Sequence, residues 1–319
     1  MLAGKGKRIL FVYGKSGIGK TTVVKHVTSK LEEETSDVTT CYISCSSTTP
    51  SFAIKNIYEK LFNEGKKKLP SAFMISKIKK TLLQDKEGLL IVLDNFDQMK
   101  DFGRLLWNIF ELMQDVARVG VILISTSEQN IHSIGGRLFS RINPEYLVFY
   151  PYDEETLYEI LKSRIMQAYG RMIIEDKALS RLCEFVANEG QGSARYLLQL
   201  FLSLCESEKG EGRISVNAVE RLLDEEKVKM VKMNLNAIKM NAPRMYEVLR
   251  IIAELQKNQQ LVTTGLVKDK IRSKGLAVSG RTLDYYLNNL ENKGIIKLEK
   301  IRKRGLTREI HVCIDLGLI

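Results

Sequence analysis

The sequence predicts an α/β fold: a parallel sheet with a phosphate-binding loop, then a helical lid, then a C-terminal winged helix-turn-helix. Three observations carry this reading. A glycine-rich run, Gly14-Lys15-Ser16-Gly17-Ile18-Gly19-Lys20-Thr21-Thr22, follows the apolar run 9–13 and opens a helical pattern. Two further apolar runs, 88–94 and 119–125, alternate with helical segments, as strands covered on both faces do. From Tyr152 onward the periodicity is helical, until two short strands close the chain. The boundaries read as a base domain over 1–151, a helical lid over 152–225, and a linker helix with winged helix over 226–319.

The first strand is Ile9-Leu10-Phe11-Val12-Tyr13, and Val23, Val24, Val27 and Leu31 mark the helix behind the loop. Glycines at 14, 17 and 19 let backbone N–H groups curl round phosphate oxygens where a Cβ would obstruct them. In such a loop Lys20 reaches the β- and γ-phosphates and the Thr21 hydroxyl meets Mg²⁺. The helix N-terminus adds a favourable dipole. The cofactor expected is therefore ATP or ADP with Mg²⁺.

A second strand covers 38–44. Pro50 and Ser51 then open a helix with Phe52, Ile54, Ile57, Tyr58, Leu61 and Phe62 on its apolar face. A basic loop with Lys66, Lys67 and Lys68 leads to a helix over 71–83. The strand ending at Asp94 presents an acid at the C-terminal edge of the sheet, where ligands bind in open α/β folds. Asp94 is thus the expected second metal group beside Thr21. Asp97 either supports it or caps the next helix. A helix over 102–116 and the strand 119–125 follow, with Thr126 at the strand end as the candidate γ-phosphate contact. Arg137 and Arg141 share one helical face, which suits either a surface ion pair or an arginine offered to a neighbouring subunit's phosphate.

The lid segments are 153–168, 175–187, 193–207 and 215–230. Ser193 is placed to cap a helix whose first turn carries Arg195. The last domain reads as helices 244–257, 263–273 and 280–292, then strands 295–301 and 307–314. In its third helix Leu283, Tyr286, Leu287 and Leu290 make an apolar stripe. Arg281, Tyr285, Asn288, Asn289 and Asn292 make a polar one suited to base edges and phosphates. Thr282 joins them at the helix start. Arg302, Lys303, Arg304 and Arg308 crowd the hairpin.

Net charge is +11, and residues 241–319 hold 15 Lys and Arg against 8 Asp and Glu. This favours a polyanionic partner, with duplex DNA the expectation. A winged helix used for protein contacts is the alternative. The five cysteines and three histidines show no metal spacing. No apolar run reaches membrane-spanning length and no signal peptide is visible, so a cytoplasmic, nucleoid-associated protein is expected.

Taken in order, the motifs resemble the archaeal replication initiators related to origin-recognition-complex subunit one and the cell-division-cycle initiator, which are AAA+ ATPases. The resembling stretches are the phosphate loop, Cys41-Tyr42-Ile43-Ser44-Cys45, Val92-Leu93-Asp94, 137–141, Phe149-Tyr150-Pro151-Tyr152, 160–164, Gly192-Ser193-Ala194-Arg195, Arg281-Thr282-Leu283 and 290–294. The resemblance implies Thr126 as sensor one, Arg141 as arginine finger and Arg195 as sensor two. It makes the Lys66–Lys68 loop a second DNA contact. It also implies other initiator subunits or a replicative helicase as partners. Asn95 stands where the family carries its catalytic Glu. Asn cannot accept a proton, so the nucleotide is expected to act as a switch with slow hydrolysis. Thr126 replaces the usual Asn, and only about eight residues precede the first strand. A transposition helper and a regulatory P-loop ATPase with a winged-helix tail are the competing readings. A small-molecule kinase leaves the winged helix unexplained.

Overall fold

The protein is described here from a computed structural model, covering residues 8–63, 69–84, 88–134, 136–208, 212–258, 261–302 and 306–319. Lys66, Lys67, Lys68, Lys303 and Arg304 lie outside the described residues. The chain forms two compact units, one ending at Val219 and one over Glu220–Ile319.

The first unit holds a five-stranded, all-parallel sheet in the order β2-β3-β4-β1-β5. The strands are β1 (Ile9–Tyr13), β2 (Val38–Ser44), β3 (Gly88–Asp94), β4 (Val119–Ser125) and β5 (Glu145–Val148). The connecting helices are α1 (Lys20–Glu34), α2 (Pro50–Phe62), α3 (Ser71–Gln84), α4 (Phe102–Asp115) and α5 (Gly136–Ile142). Every residue of β3 and β4 is buried, as apolar runs without alternation require.

Side chains still alternate between the two faces of the sheet. Leu89, Ile91 and Leu93 enter a core with α2, α3 and α4. Leu90 and Val92 face the other way, into a core with Val12, Ile122, Ile124 and Val24 of α1. Asp94 continues that second series, so the period of two delivers its carboxylate to the α1 side, beside the phosphate loop. α1 itself buries Lys20, Val24 and Thr28, while Val23 and Val27 are exposed. Its apolar face is therefore narrower than the valine series predicts. Phe52 is likewise exposed on α2.

Three helices complete this unit: α6 (Glu154–Tyr169), α7 (Asp176–Asn188) and α8 (Ala194–Ser207), which pack against one another. Asp153 caps α6 by accepting from the Thr156 N–H at 2.8 Å, and Ser193 caps α8 by accepting from the Tyr196 N–H at 3.3 Å. The turn before α8 places Gly192 at φ +62° against the Pro151 side chain and the Tyr152 backbone. The Tyr152 N–H donates to the Gly192 carbonyl at 3.1 Å.

α9 (Val216–Asn241) runs on past residue 230, because Leu235 and Ile238 are buried in the core of the second unit. That core also gathers α10 (Pro243–Lys257), α11 (Thr264–Ser273), α12 (Gly280–Asn292) and the antiparallel pair β6 (Ile296–Arg302) and β7 (Leu306–Val312). Three helices closed by a β-hairpin are the element order of a winged helix-turn-helix.

The Gly192 turn yields a prediction. A Cβ there would lie 2.5 Å from the Tyr152 carbonyl oxygen, whereas one at Gly170, also at positive φ (+66°), would meet nothing within 4 Å. Gly170→Ala is expected to cost only the left-handed backbone penalty, about 1 kcal/mol, and Gly192→Ala clearly more, about 2–4 kcal/mol. Urea denaturation of both variants checks this; equal losses would mean the turn is not docked.

Candidate functional site

The C-terminal ends of the strands meet at one edge of the sheet, and the phosphate loop sits there as β1 passes into α1. Its glycines are held at positive φ: 150° at Gly14, 81° at Gly17 and 89° at Gly19. Each also has a close neighbour. A Cβ would fall 2.3 Å from the Phe149 carbonyl at Gly14, 2.1 Å from Ser193 Oγ at Gly17, and 2.8 Å from the Tyr152 hydroxyl at Gly19. The loop is therefore wedged between the end of β5 and the start of α8. The Arg195 N–H donates to the Gly17 carbonyl at 3.2 Å and closes the joint.

A cleft of about 710 Å³ opens at this joint, within the range of small-molecule sites. Ser16, Gly17, Gly19, Lys20, Thr21 and Thr22 line it, with Asn95, Thr126 and Arg195 opposite. The structure thus brings together the loop, the strand-end residues and the lid arginine that the sequence singled out. It adds Gln98, Tyr152, Ile160, Arg164, Leu198 and Leu202. Leu198 and Leu202 are exposed on α8 and give one wall an apolar surface fit for a flat ring. In sequence they are two apolar positions of an ordinary helical segment, with no signal that marks them for a site.

Lys20 is buried, and its Nζ donates to the Gly14 and Lys15 carbonyls at 2.6 and 2.7 Å. Burial holds its pKa below the ordinary lysine value. The Arg195 charge adds to that fall, and the Asp94 and Asp97 carboxylates oppose it. The Thr21 hydroxyl donates to Asp94 Oδ2 at 2.9 Å, and the Tyr42 hydroxyl donates to the same oxygen. Asp94 Oδ1 is buried without a hydrogen-bond partner. A buried acceptor with nothing to accept from, beside a hydroxyl whose lone pairs stay free, fits a hard divalent cation such as magnesium, which Thr21 and Asp94 would hold. Among the described residues no group of three His, Cys, Asp or Glu forms an all-protein cage.

Asn95 takes the left-handed conformation, φ 53° and ψ 47°, which Asn tolerates better than most residues. Asp97 Oδ1 accepts from Ser125 Oγ at 2.7 Å, and Ser125 Oγ in turn accepts from Asn130 Nδ2 at 2.6 Å. Asp97 therefore braces the end of β4 below Thr126. The Arg141 guanidinium lies over the Trp107 ring, 5.5 Å from its centroid, and is not part of the cleft wall. Burial pushes the Cys41 thiol up to about 11 and the Cys45 thiol up to about 12, so neither serves as a nucleophile at neutral pH.

In the second unit α12 buries Leu283, Leu287 and Leu290 and exposes Arg281, Tyr285 and Asn288. Tyr286, Thr282 and Asn289 are half-buried. Arg308 pairs with Asp284 and donates to Asn288 Oδ1 at 3.0 Å. Arg308 and Asn288 thus tie β7 to α12.

A depressed lysine pKa means the folded chain holds its Lys20 proton less tightly than the unfolded chain. The charged form opposes folding below the folded pKa, and that cost disappears as pH rises toward the ordinary value of 10.5. Lys20→Met is expected to leave ligand-free thermal stability unchanged or raise it, on the order of 2 °C. It should also abolish stabilisation by added nucleotide. The wild type should gain stability relative to the variant as pH rises from 7 toward 10. Calorimetric melts across pH check this, and a relative loss with rising pH would contradict it.

A family described as an AAA domain matches residues 3–130. An ORC1-type DNA replication protein of Thermoplasma volcanium is 27% identical over 327 residues, spanning 97% of this chain and 80% of the relative. Its counterpart in Sulfurisphaera tokodaii is 26% identical over 343 residues, spanning 99% of this chain and 82% of the relative. Among solved structures, the Aeropyrum pernix ORC1 protein in complex with DNA is similar with a TM-score of 0.58 at 22% identity, over 99% of this chain and 86% of that one. The Aeropyrum pernix ORC2 protein in ADPNP and ADP complexes reaches 0.65 at 18% identity, over 99% and 87%. The structural likeness concerns the fold. Joined to a sequence likeness that runs nearly end to end, and to a phosphate loop, strand-end residues and a lid arginine that line one cleft, it makes this chain similar along its length to archaeal ORC- and Cdc6-type proteins, with an AAA domain matched in its first part.

Proposed function

We propose that this protein is a nucleotide-switched replication initiator that binds origin duplex DNA. ATP or ADP with Mg²⁺ occupies the cleft between the phosphate loop and α8. The observation that carries the reading is the constellation of buried Lys20 and Asp94 with half-buried Thr21, in which Lys20 and Thr21 share a cleft with Arg195. It supplies a cation, a hydroxyl and an unpartnered carboxylate oxygen where a phosphate chain emerges from the loop. Thr21 and Asp94 would hold the metal, which neutralises phosphate charge when bound. The loop amides bind the phosphates, Lys20 leaves its two carbonyls for them, and Arg195 registers them from the lid. The names of the relatives support the replication role, and the basic winged helix supports DNA as the partner.

Hydrolysis is slow in this reading because Asn95 cannot take a proton from water. Arg141, outside the cleft wall, acts only when a second subunit or another initiator docks. Arg281, Thr282, Tyr285 and Asn289 face the major groove. Lys303 and Arg304 of the hairpin and the Lys66–Lys68 loop, all outside the described residues, hold phosphates. Arg302, the last residue of β6, is assigned the same role. Arg308 and Asn288 act by fixing the hairpin to the reading helix.

Steady-state ATP turnover is expected to rise in Asn95→Glu, with a stability cost of about 1–2 kcal/mol for a longer side chain in a left-handed position. A wild-type rate typical of an active AAA+ motor would contradict the switch. Arg281→Ala is expected to lose about 1–3 kcal/mol of binding to a specific duplex and little on random DNA. Footprinting followed by a salt-titrated binding series measures it. Unchanged affinity on both duplexes would make the domain a protein-docking module.

A further inference from the structure

Asp94 is held from an unexpected direction. Its Oδ2 accepts from Thr21, as a phosphate-loop hydroxyl requires, but also from the Tyr42 hydroxyl on the neighbouring strand. The sheet register explains the reach. Tyr42 pairs with Val92, so Asp94 is its diagonal neighbour two residues on and on the same face. A phenol is long enough to span that diagonal; a β-branched or small residue is not. The ring is fixed in turn by Lys25, whose Nζ sits 4.4 Å from the ring centroid. Lys25 lies one helical turn beyond Thr21 on α1. One helix therefore supplies both the hydroxyl that meets Asp94 and the cation that holds the tyrosine meeting Asp94. The edge strand closes a three-way tie between α1, β2 and β3.

We propose that Tyr42 is a positioning residue for the metal-binding carboxylate: with Thr21 it occupies Asp94 Oδ2, fixes the carboxylate plane, and reserves Oδ1 for a metal-bound water. The proposal rests on the nucleotide reading above and assigns a role to a residue outside the phosphate loop and outside the cleft wall. It separates two affinities. The phosphates are bound by loop amides and Lys20, which Tyr42 does not touch, so metal-free nucleotide binding is independent of it. The metal depends on how Asp94 is presented, so its affinity is not. Loss of an outer-shell partner of a metal ligand typically costs about 10–100-fold in metal affinity.

The test uses the full chain with ADP, and Mn²⁺ as the probe. Calorimetry in EDTA gives the metal-free ADP affinity. Electron paramagnetic resonance of free Mn²⁺ gives its affinity for the protein–ADP complex. Tyr42→Phe keeps the ring at a position 36% exposed on an edge strand, so the fold is retained, and its melting temperature verifies this. The expected result is metal-free ADP affinity within about twofold of wild type and Mn²⁺ affinity weakened by about tenfold or more. In an Asp94→Ala background, Tyr42→Phe should add no further loss, because the tyrosine acts through that carboxylate. Unchanged Mn²⁺ affinity in Tyr42→Phe overturns the proposal, as does an equal loss in the Asp94→Ala background. Failure of the wild type to bind ADP at all would instead sink the nucleotide reading beneath it, a result distinguishable because it appears before any substitution is made.

Discussion

The structure of the first unit depends on one constraint: a phosphate loop must present bare backbone amides, and this requires glycine where other parts of the protein press closest. Phe149 fills the space a Cβ would take at Gly14, Ser193 at Gly17 and Tyr152 at Gly19. These three neighbours come from the end of β5, the cap of α8 and the segment that leads from β5 into α6. The loop therefore serves as the joint between sheet and helical lid as well as an anion cradle. Arg195 inherits its place from that joint, since its own N–H is bonded to the loop at Gly17. A ligand that reshapes the loop necessarily acts on the lid.

A second constraint works through the sheet. β3 is buried on both faces, and its alternation sends Leu89, Ile91 and Leu93 to one core and Leu90, Val92 and Asp94 to the other. The last residue of the second series is charged, so it must find partners, and it finds Thr21 and Tyr42. Its other oxygen stays unpartnered. That cost in the ligand-free state is the feature on which the proposed metal role of Asp94 rests. Lys20 shows the matching pattern, a buried ammonium whose pKa is lowered by desolvation and which is held on the Gly14 and Lys15 carbonyls.

Most of this was legible in the sequence because strong local signals coincided with tertiary roles. The apolar runs at 88–94 and 119–125 and the glycine spacing at 14–19 each have one physical reading. β5 escaped because four residues with mostly exposed side chains carry no periodicity. The extension of α9 to Asn241 escaped because its buried positions, Leu235 and Ile238, are widely spaced in a polar stretch. In the site, Ile160, Leu198 and Leu202 look like ordinary helical apolar residues until the lid is docked. Tyr42 looks like an ordinary strand aromatic until the register places it diagonal to Asp94. Arg308 reads as a hairpin cation in one dimension, and its bonds to Asp284 and Asn288 arise only in three.

In the proposed reading the cleft at the loop–lid joint holds one adenine nucleotide through its phosphates. Native mass spectrometry of the purified chain with added ADP decides this. A single bound ADP per chain is expected in the wild type and none in Lys20→Ala at the same concentration. A wild type that shows no adduct, or a Lys20→Ala variant that retains it, would overturn the nucleotide assignment.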